Sequence, residues 1–484
     1  MRYTHRMMLS PSSGTGTDAI VASIAVLPFV NHGGDADDEY LADGLADELQ
    51  QVLAKIQGLR VCARSSSFHF RRPDIDPAEV GSALKVASVL RGDVRKSGGQ
   101  WSISVRLVNV ALGRETWSRS YRRPPDDVFA VVELIATAVV AELRTRGNDG
   151  VGSSPEPSAQ VRAEVANALR GRSGNAEARR LYLRARHLLE HFDREDTATA
   201  IGHLERALDL DPEFALAWAQ LGEACYRQAG YGWVPLQKGR RQAREARERA
   251  LAIEPDLIEG HLAVAAALHY DERDHEGAES LLRKVMEQAP GDARALRFSG
   301  VIAMHAGRLE EAIGLYHRAL ELDPLSARTQ HSLAWSLHCL GRHVEAVAAY
   351  RKALELVPNM TGTRALLSIV LLDLGRGDEA RAEAEAEPNE AMRLYAVACI
   401  EWTYGHGAEA DALLDRLIER FADDAPSQIA GVYATRGDLD QAFEWLERAH
   451  AIRDPGLLEL RNFPNFRPVR SDPRWGAFLR RTGL

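Results

Sequence analysis

Carboxylates that gather in a short stretch can hold a hard cation, and Asp35, Asp37, Asp38 and Glu39 do so just before Tyr40. The same side chains suit the start of a helix, where they cap free N–H groups and offset the dipole. The capping role is the preferred reading. His187 and His191 stand four apart, which puts two imidazoles on one helical face, but no third ligand is evident. They read as part of a solvated face. Arg91-Gly92-Asp93 falls within a strand-like segment and is taken as chance. The sequence has no GxxxxGKS/T, GxSxG or HExxH, and no GxGxxG in a strand–helix context. Cys62, Cys225, Cys339 and Cys399 are widely spaced, without CxxC, and read as free thiols in a reducing compartment. No catalytic residue, cofactor or metal site is expected, and the chain reads as a non-enzyme.

Composition narrows the partners. With 484 residues and a net charge of −9, the chain predicts two to four domains and no bulk attraction to nucleic acid or anionic membranes. The apolar run Met7–Leu9 is too short for a secretory signal, and no stretch approaches a membrane span. A cytoplasmic protein is expected, of undetermined oligomeric state.

The elements that would position any site fall into two patterns. Residues 20–145 mix periods: "SIAVLPFV" reads as a buried strand, and Tyr40, Leu41, Leu45, Leu49 and Leu53 recur at helical spacing. "LRVCARSSSF" reads as a second strand, followed by a helix capped by Asp76 with Pro77 at its first position. Three antiparallel strands and a closing helix complete the order β-α-β-α-β-β-β-α. Residues 146–177 are rich in Gly, Ser, Pro and charge and read as a flexible linker with room for one helical turn inside it; residues 1–19 read as disordered.

Beyond the linker a repeat takes over. "GRLEEAIGLYHRALELDP" at Gly307 and "GRHVEAVAAYRKALELVP" at Gly341 share one plan, 34 residues apart. Small residues recur in phase at Ala200, Ala243, Ala278, Ala312, Ala346, Ala380, Ala410 and Ala442. Four places on there is usually a large apolar residue, such as Leu204, Leu282, Tyr316, Tyr350, Leu414 or Leu446. A second small set, Gly222, Ala265, Gly300, Ala334, Ser368, Ala398 and Ala430, precedes the first by about twelve residues. Antiparallel helices approach closely only where facing positions are small, and one helix pair cannot bury its apolar face without neighbours. This pattern resembles the tetratricopeptide repeat (TPR), at about eight repeats over residues 178–452. It is weaker where Arg247 replaces the large residue and where Ala384 and Glu387 stand in for the large and small ones. The tail 453–484 breaks the period, and Trp475, Phe478 and Leu479 are expected to cap the last repeat.

"SIAVLPFVN", "DDEYLADGLADEL", "RVCARSSSF" and "VLRGDVRKSGGQWSISVRLVNVALGRETW" resemble the TolB amino-terminal-like domain of bacterial signalling proteins. That resemblance implies a neighbourhood of nucleotide cyclases, winged-helix regulators or protein kinases. With only 19 polar residues before Ile20, neither an output module nor a membrane span is expected in this chain. The tetratricopeptide resemblance further implies that first helices line a concave groove. Its positions map to Arg294, Arg297, Met304, Arg328, His331, Trp335 and His338, with His305 and His269 beside them. Guanidinium groups would capture carboxylates, Trp335 would anchor an apolar side chain, and the histidines would gain charge near pH 6. The expectation is an α+β chain, mostly α: a small α/β domain followed by a right-handed helical solenoid. It would act as an adaptor for a protein or peptide, acidic in character. The rival reading is the regulatory part of a signalling system whose output module is a separate polypeptide.

Overall fold

A computed structural model describes residues 22–33, 39–124, 129–145, 156–189, 194–230 and 233–483. Asp35, Asp37, Asp38 and His191 lie outside the described residues. The chain forms a small sheet domain followed by a helical repeat solenoid. Strand β1 (Ala22–Val26) runs parallel to β3 (Leu59–Val61) and to β4 (Ser88–Ser97). The two-residue β2 (Val30–Asn31) also pairs parallel with β4. Strands β4, β5 (Gln100–Asn109) and β6 (Arg114–Arg123) form an antiparallel meander, giving the order β3-β1-β4-β5-β6. Gly92, inside the Arg-Gly-Asp run, lies under Phe29, where an added Cβ would come within 2.5 Å of the ring. Its neighbour Asp93 binds His32 and Arg106.

Helices α1 (Glu39–Ala54) and α4 (Ala130–Thr145) cover one face of the sheet. The helical turn α2 (Arg64–Ser67) and helix α3 (Pro77–Leu84) follow β3, and the Asp76 carboxylate caps α3 at the Ala78 N–H. Leu41, Leu45, Leu49 and Leu53 of α1 are buried as their spacing predicts. The opposite side of α1 is buried as well, including Asp43, Asp47, Glu48 and Gln50. The cover over that side comes from the chain beyond α4.

The stretch read as a flexible linker is not one over residues 156–177. Ser158 caps a ten-residue helix, α5 (Ala159–Ala168), whose Val161, Val165 and Ala168 join the core of α1 and α4. The next helix, α6 (Ala176–Leu188), crosses α1 at Gly44, where an added Cβ would stand 2.5 Å from Leu183. A midhelix glycine costs helix stability, and here it admits a close crossing. The α/β domain and the first repeats therefore share one continuous apolar core, reaching from Ile24 to Leu257. They are not separate globules.

Among the described residues, eight antiparallel helix pairs make up the solenoid. The first four are Ala176–Leu188 with Arg194–Leu210, Ala215–Gly230 with Leu236–Ile253, Ile258–Ala267 with His275–Gln288, and Ala293–His305 with Leu309–Leu322. The others are Ala327–Cys339 with His343–Leu356, Thr363–Asp373 with Gly377–Glu385, Glu390–Thr403 with Gly407–Phe421, and Pro426–Arg436 with Leu439–Ala451. Every phased alanine of the second helices is buried, and Leu204, Leu282, Tyr316, Tyr350 and Leu446 have no exposed surface. Gly300 sits against the Tyr316 ring, which an added Cβ would meet at 2.5 Å.

The two irregular joints have physical explanations. Glu387 is fully buried and accepts from the N–H groups of Gly362, Ala365 and Asn389. It thereby caps helix Thr363–Asp373, whose own N-cap residue is Gly362. Arg247 is buried too; burial lowers its pKa, and the charges of Asp271 and Glu272 oppose that.

Candidate functional site

Two features of the chain's own making pack on the solenoid. One is the α/β domain. Ser65 and Ser66 at the start of α2 donate to the buried carboxylate of Asp323, and the Ser66 Oγ accepts from the Leu325 N–H at 2.8 Å. The Ala63 N–H donates to the Leu322 carbonyl at 3.2 Å, and Arg60 reaches the Glu321 carbonyl at 3.1 Å. Leu325 itself packs on the small apolar cluster of Val80, Leu84 and Val89. On α1, Asp47 pairs with Arg186 at 2.6 Å, Glu48 pairs with Arg179 and lies 3.8 Å from Arg172, and Asp43 holds Arg71 through both oxygens.

A cavity of about 200 Å³ remains in this seam, lined by Lys55, Arg186, Arg294, Asp47, Glu259 and Asp323 among others. Burial lowers the pKa of Lys55, opposed by Glu259. Burial would raise the Glu259 carboxyl, but Lys55 and Arg294 hold it down at about 2. Acids and bases thus compensate one another across the seam, which joins the two parts ionically.

The other feature is the tail. Trp475 and Phe478 are buried, with Phe478 against Phe443 of the last helix pair. Before them, residues 453–466 double back across several repeats. Arg453 donates to the Asp271 carbonyl, Asn462 to the Met304 carbonyl, and Asn465 to the Tyr395 hydroxyl. Phe463 stacks on Trp335 with centroids 4.6 Å apart and planes 8° apart.

The predicted groove is therefore largely occupied. Trp335 is buried against this chain's Phe463 rather than open to an incoming side chain. Met304 is buried and accepts from Tyr316 through its sulfur at 3.9 Å. His269 is fully buried and bonded on both ring nitrogens, to His305 and to His275, each at 2.8 Å. His331 meets the Thr363 hydroxyl at 3.0 Å, and the fully buried His338 meets Asp373 at 2.9 Å. Arg294 pairs with Asp292 at 2.6 Å and with Glu259. Arg328 is exposed; Arg297 is half-buried and forms no ion pair among the described residues.

Gain of histidine charge near pH 6 does not follow from this geometry. Burial pushes His331 down to about 4 and His269 to about 3, and it holds His305 well below the ordinary imidazole range. The thiols are equally quiet. Burial raises Cys62, Cys339 and Cys399 to about 12 and Cys225 to about 11, so none is a ready nucleophile.

Sequence reading missed Asp323, Glu48 and the tail contacts. A signal for Asp323 existed, because Asp211 occupies the equivalent pre-proline place and also accepts from a serine, Ser173.

Comparison with known proteins fits this architecture. Tetratricopeptide-repeat family models match residues 291–359 and 186–230. The helical array is a tetratricopeptide-repeat solenoid. Residues 20–114, which carry most of the sheet packed on that solenoid, match the second domain of HilA/YgeH-like transcriptional regulators. "Putative adenylate cyclase 3" of Rhizobium meliloti (strain 1021) is 32% identical over 258 residues, 52% of this chain and 42% of its own length. The chain thus spans less than half of that relative. Among solved structures, pilF of Pseudomonas aeruginosa aligns at 21% identity with TM-score 0.35, covering 43% of this chain and 91% of its own. A tetratricopeptide protein of Thermus thermophilus aligns at 24% identity with TM-score 0.33, covering 39% of this chain and 97% of its own. No described helix is long and apolar enough to cross a membrane.

Proposed function

We propose that this chain is a non-catalytic adaptor of the cytoplasm whose repeat solenoid binds a polypeptide on its first-helix side. What carries the reading is Arg297, a half-buried guanidinium on that side with no ion-pair partner among the described residues. A carboxylate arriving from outside would complete it, and the exposed Arg328 lies one repeat further on. The site is smaller than a whole open groove, because the tail and the α/β domain cover the remainder. An acidic peptide is the ligand class that suits it.

The test is quantitative cross-linking of the full chain in its native cell, beside an Arg297→Glu/Arg328→Glu variant of equal helicity. The expected result is a polypeptide whose capture falls by roughly ten-fold or more, the loss of two charge-assisted contacts. An unchanged set of cross-linked polypeptides would overturn the reading.

A second reading, the regulatory part of a signalling system, is favoured by the match to a regulator domain at residues 20–114 and the likeness to the Rhizobium protein. The TolB amino-terminal-like assignment belongs to this reading and rests on the resemblance of segments such as "SIAVLPFVN" and "RVCARSSSF". Under it, the purified chain forms no cyclic AMP from ATP but changes the rate of an output enzyme encoded beside it. Cyclic AMP formation by the chain alone would refute both readings.

A further inference from the structure

Two joints of the solenoid are built on one plan. His275 and His343 are both first residues of second helices, and His305 and Asp373 are both last residues of the following first helices. Each pair is separated by 68 residues, twice the 34-residue period. His269 and His338 complete the two triads at a separation of 69, the extra residue lying in the π-helical turn Leu268–Glu272. The joints differ in how their polar atoms are satisfied. In the first triad His269 sits centrally, and both of its nitrogens are hydrogen-bonded to the other imidazoles. In the second, the His338 Nε2 atom meets Asp373 at 2.9 Å, whereas the Nδ1 atom of His343 is buried without a hydrogen-bond partner. An unsatisfied buried nitrogen is costly unless something supplies the missing bond.

We propose that His338, His343 and Asp373 form a binding site for a divalent transition-metal ion such as Zn²⁺. One ligand atom from each of the three residues lies within 4.8 Å of the others, which makes this the cluster of that geometry among the described residues. Two imidazole nitrogens and one carboxylate oxygen are the donors that borderline ions of this class prefer. His338 is fully buried, whereas the Asp373 side chain is 36% exposed, so the ion enters from the Asp373 side and water can fill a remaining position. The Phe463 ring stands edge-on to His338 at 5.9 Å. Metal at this joint would therefore tie together helices Ala327–Cys339, His343–Leu356 and Thr363–Asp373 directly beneath the segment that doubles back over Trp335.

The test uses the untagged full chain, stripped with a chelator, dialysed and titrated with Zn²⁺ against a chromophoric competitor. Co²⁺ supplies a visible spectrum that reports the ligand set. The expected result is one site of micromolar or tighter affinity, weakened by roughly ten-fold or more in both His343→Ala and Asp373→Asn. These two positions are not fully buried, so helicity should survive, and circular dichroism checks that it does. His275→Ala should leave binding unchanged. Absence of a micromolar site, affinity unchanged from the parent in His343→Ala and Asp373→Asn, or loss of binding in His275→Ala instead would each overturn the assignment.

Discussion

The joints between the paired helices of the repeats and the seam between solenoid and α/β domain hold the molecule by different means. A joint such as that around Ala312, Gly300 and Tyr316 is apolar and repeated, with a small residue on one helix facing a ring on its partner helix. The seam occurs once, and it adds buried polar and ionic contacts to a shared apolar core. Those contacts include Asp47 with Arg186, Glu48 with Arg172 and Arg179, and Asp323 with two serines. Repetition lets the first kind be built from intrinsic shape alone. The second kind needs residues far apart in sequence to meet, and it fixes one domain on one particular stretch of the array.

The largest expected effect lies in the seam. Glu48→Ala would leave Arg172 and Arg179 without their buried counter-ion, at a cost of about 3–5 kcal/mol. Thermal unfolding of the full chain should show a clear fall in midpoint. A midpoint unchanged within error would mean that the pairs across α1 and α6 are not held as described. Next comes the joint: Ala312→Leu forces a larger side chain into a closed contact, at about 1–3 kcal/mol. If that variant melts like the parent, the small-on-large scheme does not govern packing there.

These two regions were unequally legible. The joints could be read because each alanine and each large partner recurs at a fixed spacing, so independent copies support one another. Glu48 could not, because its partner Arg179 lies 131 residues away and an acid on a helix face ordinarily reads as solvated. Helix Ala159–Ala168 was hidden by its Gly- and Ser-rich surroundings, although Ser158 and the Val161–Val165 spacing were its signature. Met304, Trp335 and His338 of the predicted groove lie beside the tail. Nothing periodic in the tail announced that Phe463 would occupy the place in front of Trp335.

pH separates the regions further. His269, His305 and His331 have folded-state pKa values depressed by burial below the unfolded value of about 6.5. Their contribution is present in full above that value and is lost as pH falls toward the folded values. The midpoint of thermal unfolding should therefore drop by several degrees between pH 7 and pH 5, with the repeats around these residues loosening first. A flat profile over that range would contradict the buried, neutral imidazoles. The smallest effect concerns Glu459 in the tail, whose carboxyl is raised to about 7 by burial and by Asp454. A raised acid stabilises the fold below its unfolded pKa and loses that contribution as pH rises through the folded one. Glu459→Gln should thus raise the midpoint at pH 8 and leave it nearly unchanged at pH 5. The same shift at both values would show that the side chain is not in an apolar setting.

The central claim is that the α/β domain and the first repeats are one body, joined through α5 and α6. Hydrogen–deuterium exchange of the full chain, followed by peptide mass spectrometry, addresses it directly. Amides of helix Ala159–Ala168 should be protected to the same order as those of α1 and α4, because all three helices bury side chains in one core. Complete exchange of that helix within seconds, while α1 and α4 stay protected, would contradict the account and restore two domains on a loose tether.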